Sequence, residues 1–157
     1  MDVVNYREDE EIFQEVLREL ANGTGQFNLA SGYLNLQKEY MNELFATLAK
    51  DSELKVNFLT ASPKANGFYR AGMVKKHIPG VYRVNEEKLL SHHNPNLKMF
   101  EYAQEGWTFH AKGAWAYDQG TTDKVAMSVV GSSNFSYRSN RRDTECQFYV
   151  VSECEQF

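Results

Sequence analysis

The sequence predicts an α/β fold, on three observations. A strand, a helix and a second strand follow one another from Gln26 to Leu59, the order of a parallel pair joined by a crossover helix. Apolar residues recur at helical spacing in two segments and alternate with polar ones in several shorter segments. The chain can also fill a core: 42% of its 157 residues are hydrophobic, with 21 aromatics (10 Phe, 9 Tyr and 2 Trp).

In chain order, Asp9, Glu10 and Glu11 open a first helix, where the dipole favours acidic side chains. Ile12, Phe13, Val16, Leu17 and Leu20 form its apolar stripe, and Asn22-Gly23 ends it. Gln26 to Tyr33 reads as a strand in which Phe27 and Leu29 share a face and Ser31-Gly32-Tyr33 breaks the pattern. A second helix runs from about Leu36 to Lys50 on Tyr40, Met41, Leu44, Phe45 and Leu48. Leu54 to Leu59 is the next strand. The small, polar segment Thr60 to Tyr69 follows at its carboxyl end, where open α/β sheets bind ligands. A weakly patterned helix is expected over Val81 to His92. Strands follow over Leu97 to Tyr102, Phe109 to Tyr117, Lys124 to Val130 and Glu145 to Val151, with Gly106 in a turn.

A net charge of −4 lacks the basic footprint of a nucleic-acid binder, so no nucleic-acid partner is expected. The basic residues are nevertheless gathered, at Lys75-Lys76 and at Arg138, Arg141 and Arg142. Cys146 and Cys154 make no disulfide framework. No run is long enough for a transmembrane helix, and the acidic stretch Met1 to Glu10 is no signal or transit peptide. The N-x-S/T triplets at Asn22 and Asn134 read as chance. His77, His92 and His93 lack metal-ligand spacing and read as loop or helix-surface residues.

The chemistry concentrates between Trp107 and Asn134. His110 and Lys112, two apart in a strand, point to one face. An imidazole beside an ammonium suits a phosphate, the one to attack or move a proton and the other to hold charge. The turn Gly131-Ser132-Ser133-Asn134 offers backbone donors, hydroxyls and an amide to the same oxyanion.

His110-x-Lys112 followed by Gly131-Ser132-x-Asn134 resembles the HxK…GSxN signature of the phospholipase D superfamily. The family's Asp, five residues after the Lys, is Tyr117 here, with Asp118 one later. Further stretches narrow the match: Ala30 to Leu36, Thr60 to Phe68, Phe109 to Gly113, Gly131 to Ser139 and Arg142-Asp143-Thr144-Glu145. Together they resemble the C-terminal half of the eukaryotic-type phosphatidylglycerophosphate synthases, in which the second motif commonly lacks that Asp. The resemblance spans Phe27 to Val151.

It implies one phospholipase D-like domain over residues 1–157: a mixed, mostly parallel sheet flanked by helices on both faces, one half of a pseudo-two-fold pair. It also implies transfer of a phosphatidyl group from CDP-diacylglycerol to glycerol 3-phosphate through a phosphohistidine at a membrane surface. His110 would be acid and base, with the nucleophile in the other half. Lys112, Asn134 and Ser132 would hold phosphoryl oxygens, a role that elsewhere falls to a metal, so neither metal nor cofactor is expected. Glu145 would orient His110, and Arg138, Arg141 or Arg142 would hold the phosphate of glycerol 3-phosphate. With one HxK motif, the chain is expected to be a fragment lacking its first half or to pair with a second copy. The fragment is the preferred reading, and mitochondrial inner-membrane association is implied by resemblance alone. Other superfamily reactions, such as cardiolipin or phosphatidylserine synthesis, and a non-catalytic half that binds lipid headgroups are the alternatives.

Overall fold

The computed structural model describes residues 8–51, 53–67, 78–120 and 124–151. Phe68, Tyr69, Lys75, Lys76, His77 and Cys154, named above, lie outside them. The elements run α1 (Glu8–Glu19), β1 (Thr24–Ser31), α2 (Lys38–Lys50), β2 (Lys55–Ala61), α3 (Ile78–Leu90), β3 (Leu97–Tyr102), β4 (Lys112–Asp118), β5 (Val125–Gly131), α4 (Tyr137–Arg141) and β6 (Gln147–Val151).

The six strands form one sheet in the order β3-β2-β1-β4-β5-β6. β1 pairs parallel with β2, and β2 with β3, through the expected crossovers. β4 pairs antiparallel with β1, β5 with β4 and β6 with β5. The sheet is therefore mixed, with β1, β2, β3 and β5 running one way and β4 and β6 the other.

Phe27, Leu29, Val56, Phe58, Ala114, Ala116 and Val129 project from one face into the core. They meet Phe13 and Leu17 of α1, Tyr40, Leu44 and Leu48 of α2 and Leu89 of α3. Helices on both faces were expected; among the described residues α1, α2 and α3 share this one core. Two right-handed crossovers stepping in the same direction along a sheet put both helices on the same side. The opposite face carries Asn28, hydrogen-bonded to Asn57 at 2.8 Å, and the exposed Phe100, Val130, Phe148 and Val150.

Burial follows the predicted stripes with one exception: Ile12 is exposed, because Phe13 and Leu17 define the inward side of α1. The predicted chain reversals at Gly23 and Gly106 have φ of 93° and 76°, the region where glycine meets no steric cost. His92 stacks on Phe45 with ring centroids 3.8 Å apart. Among the described residues no helix is long and apolar enough to cross a membrane.

Candidate active site

The carboxyl ends of β1, β2, β3 and β5 lie along one edge of the sheet, and the motif residues collect there. Lys112, the first residue of β4, sits opposite Ser31, the last residue of β1. His110 precedes the strand instead of lying within it. The predicted strand starts late because the Phe109 N–H donates to the Ala65 carbonyl at 2.9 Å, in the loop after β2. The side chains of His110 and Lys112 still meet: Lys112 Nζ is 3.1 Å from His110 Nε2 and 3.3 Å from the His110 carbonyl oxygen. An ammonium only donates, so this contact is a hydrogen bond in the neutral imidazole whose Nε2 accepts and whose proton sits on Nδ1. Burial, then the adjacent Lys112 charge, hold the His110 pKa below its usual value. Burial also lowers that of Lys112, with Glu145 pulling it back up.

The approach of the His110 segment to β1 depends on Gly32. Its N–H donates to the Ala111 carbonyl at 3.0 Å, and a Cβ there would lie 2.7 Å from the Phe109 oxygen and 3.2 Å from His110 Cα. Tyr33 then stands edge-on to the His110 ring, centroids 5.6 Å apart.

The turn after β5 is built differently from the sequence expectation. Two of its backbone donors are engaged: Ser132 N–H donates to the Cys146 carbonyl at 3.0 Å and Asn134 N–H to Ser139 Oγ at 3.1 Å. The Asn134 side chain is a further candidate donor at this turn. Ser31, fully buried, accepts from the Tyr33 N–H at 3.4 Å and donates to Asn134 Oδ1 at 3.2 Å. With Oδ1 held, the amide nitrogen carries the outward donors. Nothing in the sequence singled out Ser31, since its partner lies 103 residues away. Ser31→Ala should lower turnover about tenfold and Asn134→Ala about a hundredfold, while the double variant should be no slower than Asn134→Ala. Additive losses in steady-state rates would show that Ser31 does not act through Asn134.

The remaining candidates divide. The Ser132 hydroxyl accepts from the Cys146 N–H at 3.0 Å, so it ties the turn to the segment carrying Glu145. Glu145 acts electrostatically on Lys112 and makes no hydrogen bond with His110. Arg138 pairs with Asp143 at 2.9 Å, and together with Arg142 and Tyr137 they line a cleft of about 610 Å³. Arg141, a candidate phosphate ligand from sequence, is committed elsewhere. Its Nη2 lies 2.8 Å and 2.9 Å from the oxygens of Glu10, whose side chain is only 8% exposed. Arg141→Met should cost about 2 kcal/mol by leaving that carboxylate unpaired, measured as a shift in the urea midpoint. An unchanged midpoint would mean that the pair contributes no net stability.

Comparison with known proteins gives this edge its context. No protein-family model matches the chain. It is 37% identical over 150 residues to the mouse CDP-diacylglycerol–glycerol-3-phosphate 3-phosphatidyltransferase, covering 92% of this chain and 26% of the relative. The chicken enzyme of the same name is 36% identical over 149 residues, with the same coverage. The chain is homologous to these phosphatidyltransferases. It spans about a quarter of the length of these curated relatives. These are enzymes of the kind that the motif stretches of the sequence resemble. In fold, the chain matches a crystal structure of phosphatidylserine synthase from Haemophilus influenzae with a TM-score of 0.75 at 17% identity, over 92% of this chain and 31% of that one. A polyphosphate kinase from Porphyromonas gingivalis follows at a TM-score of 0.56 and 12% identity, over 90% of this chain and 21% of that one. These two likenesses extend to the fold alone.

Proposed function

We propose that this chain carries one half-site for phosphatidyl transfer from CDP-diacylglycerol to glycerol 3-phosphate. The observation that carries the reading is the His110–Lys112 contact beside an Asn134 amide fixed by Ser31, in a chain homologous to enzymes named for that reaction.

A second imidazole, from a further HxK motif in a longer chain or a second copy, attacks the phosphorus of the phosphatidyl group. The bond to CMP breaks and a phosphohistidine forms. His110 gives a proton to the departing CMP oxygen. It then takes one from the glycerol 3-phosphate hydroxyl, whose oxygen attacks phosphorus as the P–N bond breaks. A lowered pKa keeps free His110 neutral, and the incoming diphosphate raises it again by placing negative charge between His110 and Lys112. Lys112 and the Asn134 amide balance charge on the equatorial oxygens, and Arg138 and Arg142 receive the acceptor's phosphate. Glu145 sustains the charge on Lys112. The reaction takes place at a membrane surface, where the lipid substrate resides, and the mouse and chicken relatives, both named as mitochondrial, support a mitochondrial setting for it.

The test is CMP release from CDP-diacylglycerol vesicles, with and without glycerol 3-phosphate, by the chain alone and by the chain joined to the N-terminal portion of a relative. Release dependent on glycerol 3-phosphate supports the reading, and its absence from both forms rejects it. Glu145→Gln should lower the Lys112 pKa further, read by NMR titration of its Cε. A shift in His110 with Lys112 unmoved would instead assign Glu145 to the imidazole.

A further inference from the structure

Beside the motif edge an open cleft of about 720 Å³ runs between the loop after β2 and the β3–β4 connection. That volume is in the range of small-molecule sites. Lys64, Asn66, Gln104, Glu105, Trp107 and Thr108 line it, and among the described residues the rest of its wall is glycine and alanine. Trp107 is 66% exposed, yet it sits on a closed turn in which its N–H donates to the Gln104 carbonyl at 3.2 Å. The turn thus presents an indole face that the core does not use. The cleft reaches Thr108, two residues from His110, and Gly67 on its other wall abuts the Tyr33 hydroxyl.

The lining selects a ligand. Among the described residues it has no leucine, isoleucine or valine to hold an acyl chain, and it carries one cation, Lys64, and one carboxylate, Glu105, which can serve a phosphate and an amine of the same ligand. An aromatic plane beside a carboxylate and an amide suits a base with an exocyclic amine: the ring stacks on the indole and the carboxylate accepts from the amine.

We propose that this cleft takes the cytidine nucleotide of the donor substrate, with the base on Trp107, its amine toward Glu105 and Lys64 near the phosphates. The inference rests on the phosphatidyl-transfer reading. It leaves CMP within reach of His110 when the phosphate bond breaks.

Calorimetric titration of the chain with CMP, UMP and sn-glycerol 3-phosphate tests it. CMP should bind more tightly than UMP. Trp107→Ala should weaken CMP about tenfold and Trp107→Phe less than about threefold, while Glu105→Gln should remove the preference for CMP over UMP. Because Trp107 is exposed, the alanine variant should keep the wild-type unfolding midpoint. Wild-type CMP affinity in Trp107→Ala, equal binding of CMP and UMP, or no CMP binding overturns the inference. Failure of the transferase reading is a separate result: CMP bound at Trp107 with no CMP release dependent on glycerol 3-phosphate in the two-motif form.

Discussion

His110→Ala is expected to reduce CMP release by about a thousandfold or more in the two-motif form, because in the proposed mechanism proton transfer at both halves of the reaction passes through this imidazole. The unfolding midpoint should stay near wild type. His110 is exposed, and among the described residues its side chain meets Lys112 and the edge of Tyr33, neither of them in the core. Steady-state rates and urea unfolding on the same preparation separate the two effects. Activity within tenfold of wild type would remove His110 from the mechanism.

Lys112→Met is expected to cost about a hundredfold to a thousandfold in turnover, the scale of losing a fixed charge at a developing oxyanion. It also has a signature that a merely damaged site would not show. After burial, the Lys112 charge is the second cause of the lowered His110 pKa, so its removal should move the imidazole up toward about 6.5 in an NMR titration. The linked stability effect has a definite sign. A histidine whose folded pKa is depressed binds fewer protons than in the unfolded chain, so it destabilises the fold fully below its folded pKa and not at all above about 6.5. Lys112→Met should narrow that window and make the chain less sensitive to mild acid. A His110 titration unmoved by the substitution would contradict the 3.1 Å contact.

Element order was legible in the sequence because period-two and period-3.6 patterns report burial, and burial sets the fold. The β3 boundaries, Leu97–Tyr102, match because Pro95 and Gly106 punctuate the strand on either side. Of the site, His110, Lys112 and Asn134 were legible through their spacing. What escaped depends on contacts far apart in the chain. Ser31 is a small residue at a strand end until Asn134 folds onto it. The Glu10–Arg141 pair spans 131 positions, and no local pattern would link a helix-opening glutamate to a basic cluster. α4 is five residues long, shorter than the window in which helical periodicity can be seen. The turn at Gly131 read as a cradle of free amides because only the folded chain brings Cys146 and Ser139 to them.

Phe135 sits directly after that turn with a φ of 57°, a conformation that costs a bulky residue about 1–3 kcal/mol. It persists because the ring is buried against Phe13, centroids 4.7 Å apart, while the Phe135 carbonyl accepts from the Gln37 N–H at 3.1 Å. Releasing the Asn134 loop therefore means withdrawing a core aromatic. The phosphate-facing turn should not breathe on its own: the amide protons of Asn134 and Phe135 should exchange with solvent only through cooperative opening of the α1 core, as slowly as those of β1. Heating would then abolish the site and the fold in a single transition, with no intermediate stage in which a folded chain has lost its grip on Asn134.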